Sequence, residues 1–343
     1  MNHQPRKVRS VEGVSASRLD FGGLVEANEP LILKGAASDW PLVRHGQESA
    51  RAAADYLLRF YGGKPVVAYK GRPEIGGRFF YDEAVAGLNF EAGRIALDQL
   101  LETVLAREGK PDTPSFYIGS TDVDDYLPGL RAENDIGLDH VRFEGGPPLV
   151  GIWIGNRTVA AAHYDMSHNI ACCMVGRRRF TLFPPDQVSN IYPGPLAPTP
   201  GGQVVSMVDL RAPDLDTYPR AREALASAQV ADLEPGDLLF YPALWWHQVE
   251  ALDAFNVMIN YWWNAAPAYM DSPQLTLMHA LLSLRDRPEP EKQAWRALFD
   301  HYVFGPSDQA GSHLPEAARG DLGPMDETKA RRLRAYLLNK LNR

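Results

Sequence analysis

The chain has 343 residues, 45% of them apolar, with a formal net charge of -8 and a pI near 5.6. That is long enough for one large barrel with an appendage or for two ordinary domains, and apolar enough for a buried core. The acidic balance gives no footprint for nucleic acid, no run of about 18 apolar residues could span a bilayer, and the start, with Arg6, Lys7 and Arg9, lacks a secretory signal's apolar run.

In chain order, Pro30 to Lys34 and Pro65 to Tyr69 are brief apolar runs of strand character, the second following the turn pair Gly62-Gly63. Between them Glu48 to Tyr61, rich in alanine and leucine, predicts a helix. Leu97, Leu100, Leu101, Val104 and Leu105 recur at helical spacing, so Ala96 to Arg107 should be an amphipathic helix with its stripe on a sheet.

From Ser115 the pattern changes to short strands bounded by glycine and proline: Phe116 to Gly119, Leu149 to Ile154, Ala160 to Asp165, Ile170 to Val175, Arg178 to Phe183, Asp237 to Tyr241 and Asn256 to Trp263. Such a series argues a sandwich or barrel, and a jelly roll is the form that commonly hosts a metal in its mouth. The Pro/Gly-rich stretch Pro193 to Gln203 opens a long connection reaching Asp232, with one helix near Pro219 to Ala228; its length marks it as a cover over a site.

After Pro267 the pattern is helical, over Gln274 to Leu284, Glu291 to Phe304 and Thr328 to Leu341. Leu277, Leu281, Leu282 and Leu284 form one stripe, and Leu333, Tyr336, Leu337 and Leu341 another. Each must bury a face, either on the barrel or in a homodimer interface. The expected organisation is an α/β region over 1–114, a barrel over 115–265 and a helical region over 266–343, mainly β with flanking helices.

The two cysteines, Cys172 and Cys173, are neighbours, which on a strand point to opposite faces and cannot pair; they read as core residues in a reducing compartment, the cytoplasm.

The chemistry concentrates in His163-Tyr164-Asp165 and, downstream, Trp245-Trp246-His247. Residues two apart on a strand share a face, so His163 and Asp165 can grip one ion together with His247. Two imidazoles and a carboxylate on one side of a metal leave its other side open, the arrangement that suits a non-heme Fe(II) oxygenase. A lone His-x-Asp more often marks a structural histidine, and nine histidines leave room for coincidence. His168 is the competitor, but its parity puts it on the opposite face, while the same parity brings Asn169 to the ligand side. Trp245-Trp246 can wall the site from water, and Trp246 with Trp262 suggests an aromatic entrance, a packed core being the alternative. Alternation groups Arg178 with Phe180 and Leu182, so one arginine should face an apolar interior, where it requires an anion such as a dicarboxylate.

These residues carry a resemblance. The stretch from Trp153 to Asn264, with AHYD, HNIACCMVGRRRFTLFPPDQ, YPGP, LEPGDLLFYPALWWHQVEAL and NYWW, resembles the cupin-like JmjC oxygenases; through EPLILKGAASDWP and FYIGS the likeness extends from about Val14. The resemblance implies a double-stranded β-helix binding Fe(II) through His163, Asp165 and His247, with 2-oxoglutarate and O2 in the open positions. It further implies that Tyr117 and Arg178 hold the cosubstrate's distal carboxylate, and that Asn169 and Asn260 lie near its chelating end. Two departures from the family's asparaginyl hydroxylases stand out: arginine replaces lysine at Arg178 and alanine replaces threonine at Ala160. Around Gln203-Val204-Val205-Ser206 their polar substrate contacts are replaced by apolar ones, so asparagine hydroxylation is not implied. The expected partner is a peptide or small-molecule substrate. The competing readings are a non-catalytic cupin acting as sensor or scaffold, and a cupin using another divalent metal for isomerisation or hydrolysis, which leaves Arg178 and Tyr117 together unexplained.

Overall fold

The computed structural model describes residues 5–138, 141 and 143–342, which form two compact units. The first lies within Met1–Phe143 and Pro147–Asn264, the second within Glu144–Gly146 and Ala265–Arg343.

Two sheets build the first unit. The smaller has, in spatial order, Arg6–Lys7, Gln229–Leu233, Arg178–Phe183, Trp246–Ala251, Val159–Tyr164 and Arg78–Phe79. The larger has Arg9–Glu12, Leu31–Lys34, Leu238–Tyr241, His168–Val175, Asn256–Trp263, Leu149–Gly155, Ser115–Asp122, Val66–Gly71 and Phe90–Ile95. From Leu149 onward the chain passes from one sheet to the other at nearly every turn, which is the jelly roll that the strand series predicts and the double-stranded β-helix that the resemblance implies. Tight turns make this possible. Gly176, at φ +70°, reverses the chain between His168–Val175 and Arg178–Phe183, and a Cβ there would collide with the Asn256 carboxamide.

The strand His168–Val175 explains the layering. Ile170, Cys172 and Met174 pack into a core shared with Leu42 and Val43 from the helix Pro41–Glu48, Leu57 from Ala50–Leu58 and Leu100 and Leu101 from Leu97–Leu105. Ala171 and Cys173 point the other way, into the barrel interior with Phe180, Leu182, Leu239 and Tyr241. Buried on both faces, the strand reads as one apolar run, and its two cysteines are free and buried.

Three local expectations change. The helix expected over Glu48 to Tyr61 is Ala50–Leu58, and a further helix that was not expected, Pro41–Glu48, precedes it; Ser49, extended at φ -172°, ends the earlier one and caps the later by accepting the Ala52 N–H at 3.0 Å. Phe90–Ile95 is a strand although mostly exposed and interrupted by Gly93, so it carries no alternation to read. The connection before Asp232 gives its last residues to the strand Gln229–Leu233.

In the second unit, the helices Pro273–Ser283, Glu289–Phe299 and Glu327–Leu341 bury no residue fully, and Leu275, Leu282, Tyr336 and Leu341 are exposed. No helix among the described residues is long and apolar enough to cross a membrane.

Leu101 is fully buried at the centre of the helix-facing core. Leu101→Ala should destabilise the first unit by about 2–5 kcal/mol, read as a lowered urea midpoint, whereas the exposed Leu88→Ala should shift it by no more than about 0.5 kcal/mol.

Candidate metal centre and cavity

His163 closes the strand Val159–Tyr164, and Asp165 follows two residues on, on the same face. The neighbouring antiparallel strand Trp246–Ala251 sets His247 directly opposite His163, with ring centroids 4.3 Å apart. Asp165 Oδ2 lies 3.6 Å from His247 Nε2, and one ligand atom from each of the three residues falls within 4.8 Å of the others. A single ion can therefore touch all three.

The imidazoles are oriented before any ion arrives. His163 Nδ1 lies 2.8 Å from the carbonyl of Ala161 and His247 Nδ1 lies 2.9 Å from that of Trp245. A carbonyl only accepts, so each Nδ1 carries the proton and each Nε2 keeps its lone pair for a metal. Asp165 Oδ2 also accepts the Trp262 indole N–H at 3.2 Å, and the Asp165 carbonyl accepts the Leu244 N–H at 2.8 Å. Leu244 reaches that position at φ +67°, a region costly for a branched side chain. Burial, reinforced by His163 and opposed by Asp165, pushes His247 down to about 4, so its ring is neutral at neutral pH.

The register slips between His247 and Val249, inserting an extra residue in the ligand strand. The bulge brings Ala160 and Ala161 to the cavity together and frees the Ala162 carbonyl to accept the Ser206 N–H at 2.6 Å. Val205 bridges His163, and Pro200, Gly201 and Gln203 line the cavity. The long connection thus closes over the ligands, as its length suggested.

Tyr117, Asn169 and Asn260 line the same cavity as the three ligands. Arg178 does not line it, but is 2% exposed, with Nε lacking any hydrogen-bond partner among the described residues. Tyr117 and Cys173 are its electrostatic neighbours. Phe180 and Leu182 are buried beside it on the strand while Arg179 is exposed, so alternation does select the inward arginine. Burial raises the Tyr117 and Tyr241 hydroxyls above the ordinary phenol value, leaving both protonated. Ala160 offers only a methyl group.

The tandem tryptophans do not wall the cavity. With His247 facing in, Trp246 faces out and packs with Tyr164, Phe183 and Ala224, while Trp245 joins the core around Phe180 and Tyr241. Trp262 does line the cavity, together with Trp153, Tyr241, Tyr69, Phe79 and Phe90, none of which the motif reading singled out. Trp153 had a signal: it sits between Gly151 and Gly155 on one strand face, and a Cβ at Gly151 would meet Asn260 Oδ1 at 2.8 Å. Tyr69, Phe79 and Phe90 come from strands ahead of Ser115 and had none. His168 stacks near Phe240 and Trp263, and its Nδ1 accepts the Ala243 N–H at 3.3 Å.

The jelly roll with this ligand set defines a cupin. The chain belongs to the Cupin-like domain family, which it matches over residues 18–269, and the resemblance to cupin-like JmjC proteins holds in the comparisons. It is similar to the Lysine-specific demethylase JMJ31 of Arabidopsis thaliana, 30% identical over 180 residues (51% of this chain, 31% of that protein). It is 27% identical over 248 residues to the Jumonji C domain-containing protein 5 of Drosophila melanogaster (70% and 55%), and 36% identical over 113 residues to the human HSPB1-associated protein 1 (32% and 22%). The matched region thus covers 22% to 55% of these relatives' length.

The depressed His247 gives a pH dependence to the metal-free protein. Above its ordinary value of 6.5 the ring is neutral folded or unfolded; between 6.5 and about 4 only the unfolded chain takes up the proton. Stability should therefore fall as pH drops through that window and level off below it. Thermal midpoints in chelator should show this slope, and His247→Gln should reduce it, His168, which burial also lowers, supplying the remainder.

Proposed function

We propose that the chain is an Fe(II)- and 2-oxoglutarate-dependent dioxygenase that hydroxylates a C–H bond of a peptide side chain or small molecule, releasing succinate and CO2. The observation that carries this reading is the convergence of His163, Asp165 and His247 on one point of a cavity, together with the buried guanidinium of Arg178, which has no carboxylate partner among the described residues.

The residues fit the groups this reading needs. His163, Asp165 and His247 would hold the ion on one side and leave its cavity side open. Arg178 and Tyr117 would receive the distal carboxylate of 2-oxoglutarate, and Asn169 and Asn260 would lie near its chelating end. A buried guanidinium without an anion is costly by several kcal/mol, so the diacid completes the fold locally as well as the site. Bound iron, 2-oxoglutarate and O2 supply the oxidising power. The chain's own part is to fix the ligands' lone pairs, orient the diacid and exclude water beneath the Pro193 to Gln203 cover.

The charge balance bears on the substrate. A divalent ion, Asp165, a dianion and Arg178 cancel, and the other lining residues are neutral. The group brought to the ion is therefore uncharged. Two relatives are named lysine-specific demethylases, but among the described residues this cavity has no carboxylate beyond Asp165 to receive an ammonium, and Tyr69, Phe79 and Phe90 pack edge-to-face on one another.

The exposed apolar stripes of Pro273–Ser283 and Glu327–Leu341 support a homodimer built on the helical unit, and the free, buried cysteines support a reducing compartment, the cytoplasm.

Purified protein given Fe(II), 2-oxoglutarate and ascorbate should release succinate in an O2-dependent manner, and His163→Ala or Asp165→Ala should abolish it. Metal binding without succinate release would favour a scaffold, and undiminished turnover in both variants would remove the assignment. Light scattering should give twice the chain mass, and Leu282→Asp with Leu337→Asp should halve it.

A further inference from the structure

Four cavity side chains form a single chain of hydrogen bonds whose direction is fixed from one end. The Trp153 indole N–H donates to Asn260 Oδ1 at 2.6 Å. An indole can only donate, so the Asn260 oxygen must face it and the Asn260 amide nitrogen must face away. That nitrogen donates to Asn169 Oδ1 at 3.4 Å, the weakest link. Asn169 then presents its own nitrogen to the Tyr241 hydroxyl at 2.5 Å. Tyr241 oxygen is thus an acceptor within this chain, and its hydrogen has no acceptor among the described residues.

The position of that hydrogen matters. Tyr241 is 3% exposed and lines the cavity, its ring lies 4.6 Å from the His247 ring, and its electrostatic neighbours are Asp165 and Tyr117. It therefore stands between the ion's ligands and the Tyr117 end. A buried O–H with its oxygen already satisfied and its hydrogen unspent donates to whatever enters. Ala160, which lines the same cavity, presents only a methyl group.

The geometry points to Tyr241 as a further cosubstrate-binding residue, donating its O–H to an oxygen of a bound 2-oxo diacid, with Trp153 as the positioning residue that sets its direction through Asn260 and Asn169. This rests on the proposed use of 2-oxoglutarate. Its consequence is specific: the indole sits at the far end of the relay, yet its loss lets both carboxamides turn over and makes the Tyr241 hydroxyl a donor to Asn169 instead of to the ligand.

The test uses the full chain with Mn(II), which does not turn over, and isothermal titration with 2-oxoglutarate. Tyr241→Phe keeps the ring against His247 and Phe180 and removes only the hydroxyl. It should weaken 2-oxoglutarate binding about tenfold, as loss of one hydrogen bond to a charged oxygen does, and leave the Mn(II) affinity measured alone unchanged. Trp153→Phe should weaken it about threefold to fivefold, and combining the two should give less than the product of the separate effects, because the indole acts partly through the phenol. Wild-type affinity in Tyr241→Phe would overturn the assignment of Tyr241. Fully multiplicative effects would overturn the relay, reducing Trp153 to a wall residue. Should the wild-type protein with Mn(II) fail to bind 2-oxoglutarate at all, the oxygenase reading falls and this inference with it.

Discussion

The constraint on which the rest depends is the register between Val159–Tyr164 and Trp246–Ala251, which sets His163 opposite His247. Side chains alternate along a strand, so a slip of one residue would send His247 to the outer face, where Trp246 now packs, and bring the indole inside. The register is held by what it buries. Tyr164 meets Trp246 across the outer face at a centroid distance of 4.9 Å, while the inner face carries the two imidazoles. The aromatic pair is thus the structural counterpart of the metal ligands, and Trp246 serves the site from behind.

The second constraint is electrostatic. Asp165, His163 and His247 place a carboxylate and two lone pairs at one point, and Arg178 places a cation in an apolar interior with an unsatisfied Nε. Each is unfavourable alone: among the described residues no Lys or Arg meets Asp165, and no carboxylate meets Arg178. Among the described residues they are not paired with each other, and Tyr117 is an electrostatic neighbour of both Arg178 and Asp165.

Much of this was legible in the sequence, for reasons that can be named. His163 and Asp165 share a parity, Arg178 shares one with Phe180 and Leu182, and Asn169 falls on the barrel side of a strand buried on both faces; period-two alternation suffices for all of these. His247 had no such local signal, because its pairing with His163 is a long-range register. The wall contributed by Tyr69, Phe79 and Phe90 was silent, since nothing in those short strands says which distant cavity they face. The role given to Trp246 was wrong by one step of the same alternation that places His247, while Trp245, just ahead of that strand, packs into the core around Phe180 and Tyr241. The helix Pro41–Glu48 was not foreseen because PLVRHGQE lacks the alanine and leucine enrichment that marks Ala50–Leu58, and Ser49 as its neighbour's cap is a single-residue signal.

The central claim is that the three side chains bind one divalent ion and leave part of its shell to a diacid. Titration with Co(II) in the absence of air, followed by visible absorption, addresses it directly. The account predicts d–d bands that saturate at one equivalent per chain, shift when 2-oxoglutarate is added, and vanish in Asp165→Ala. Bands that fail to saturate at one equivalent, or that persist unchanged without Asp165, would contradict it.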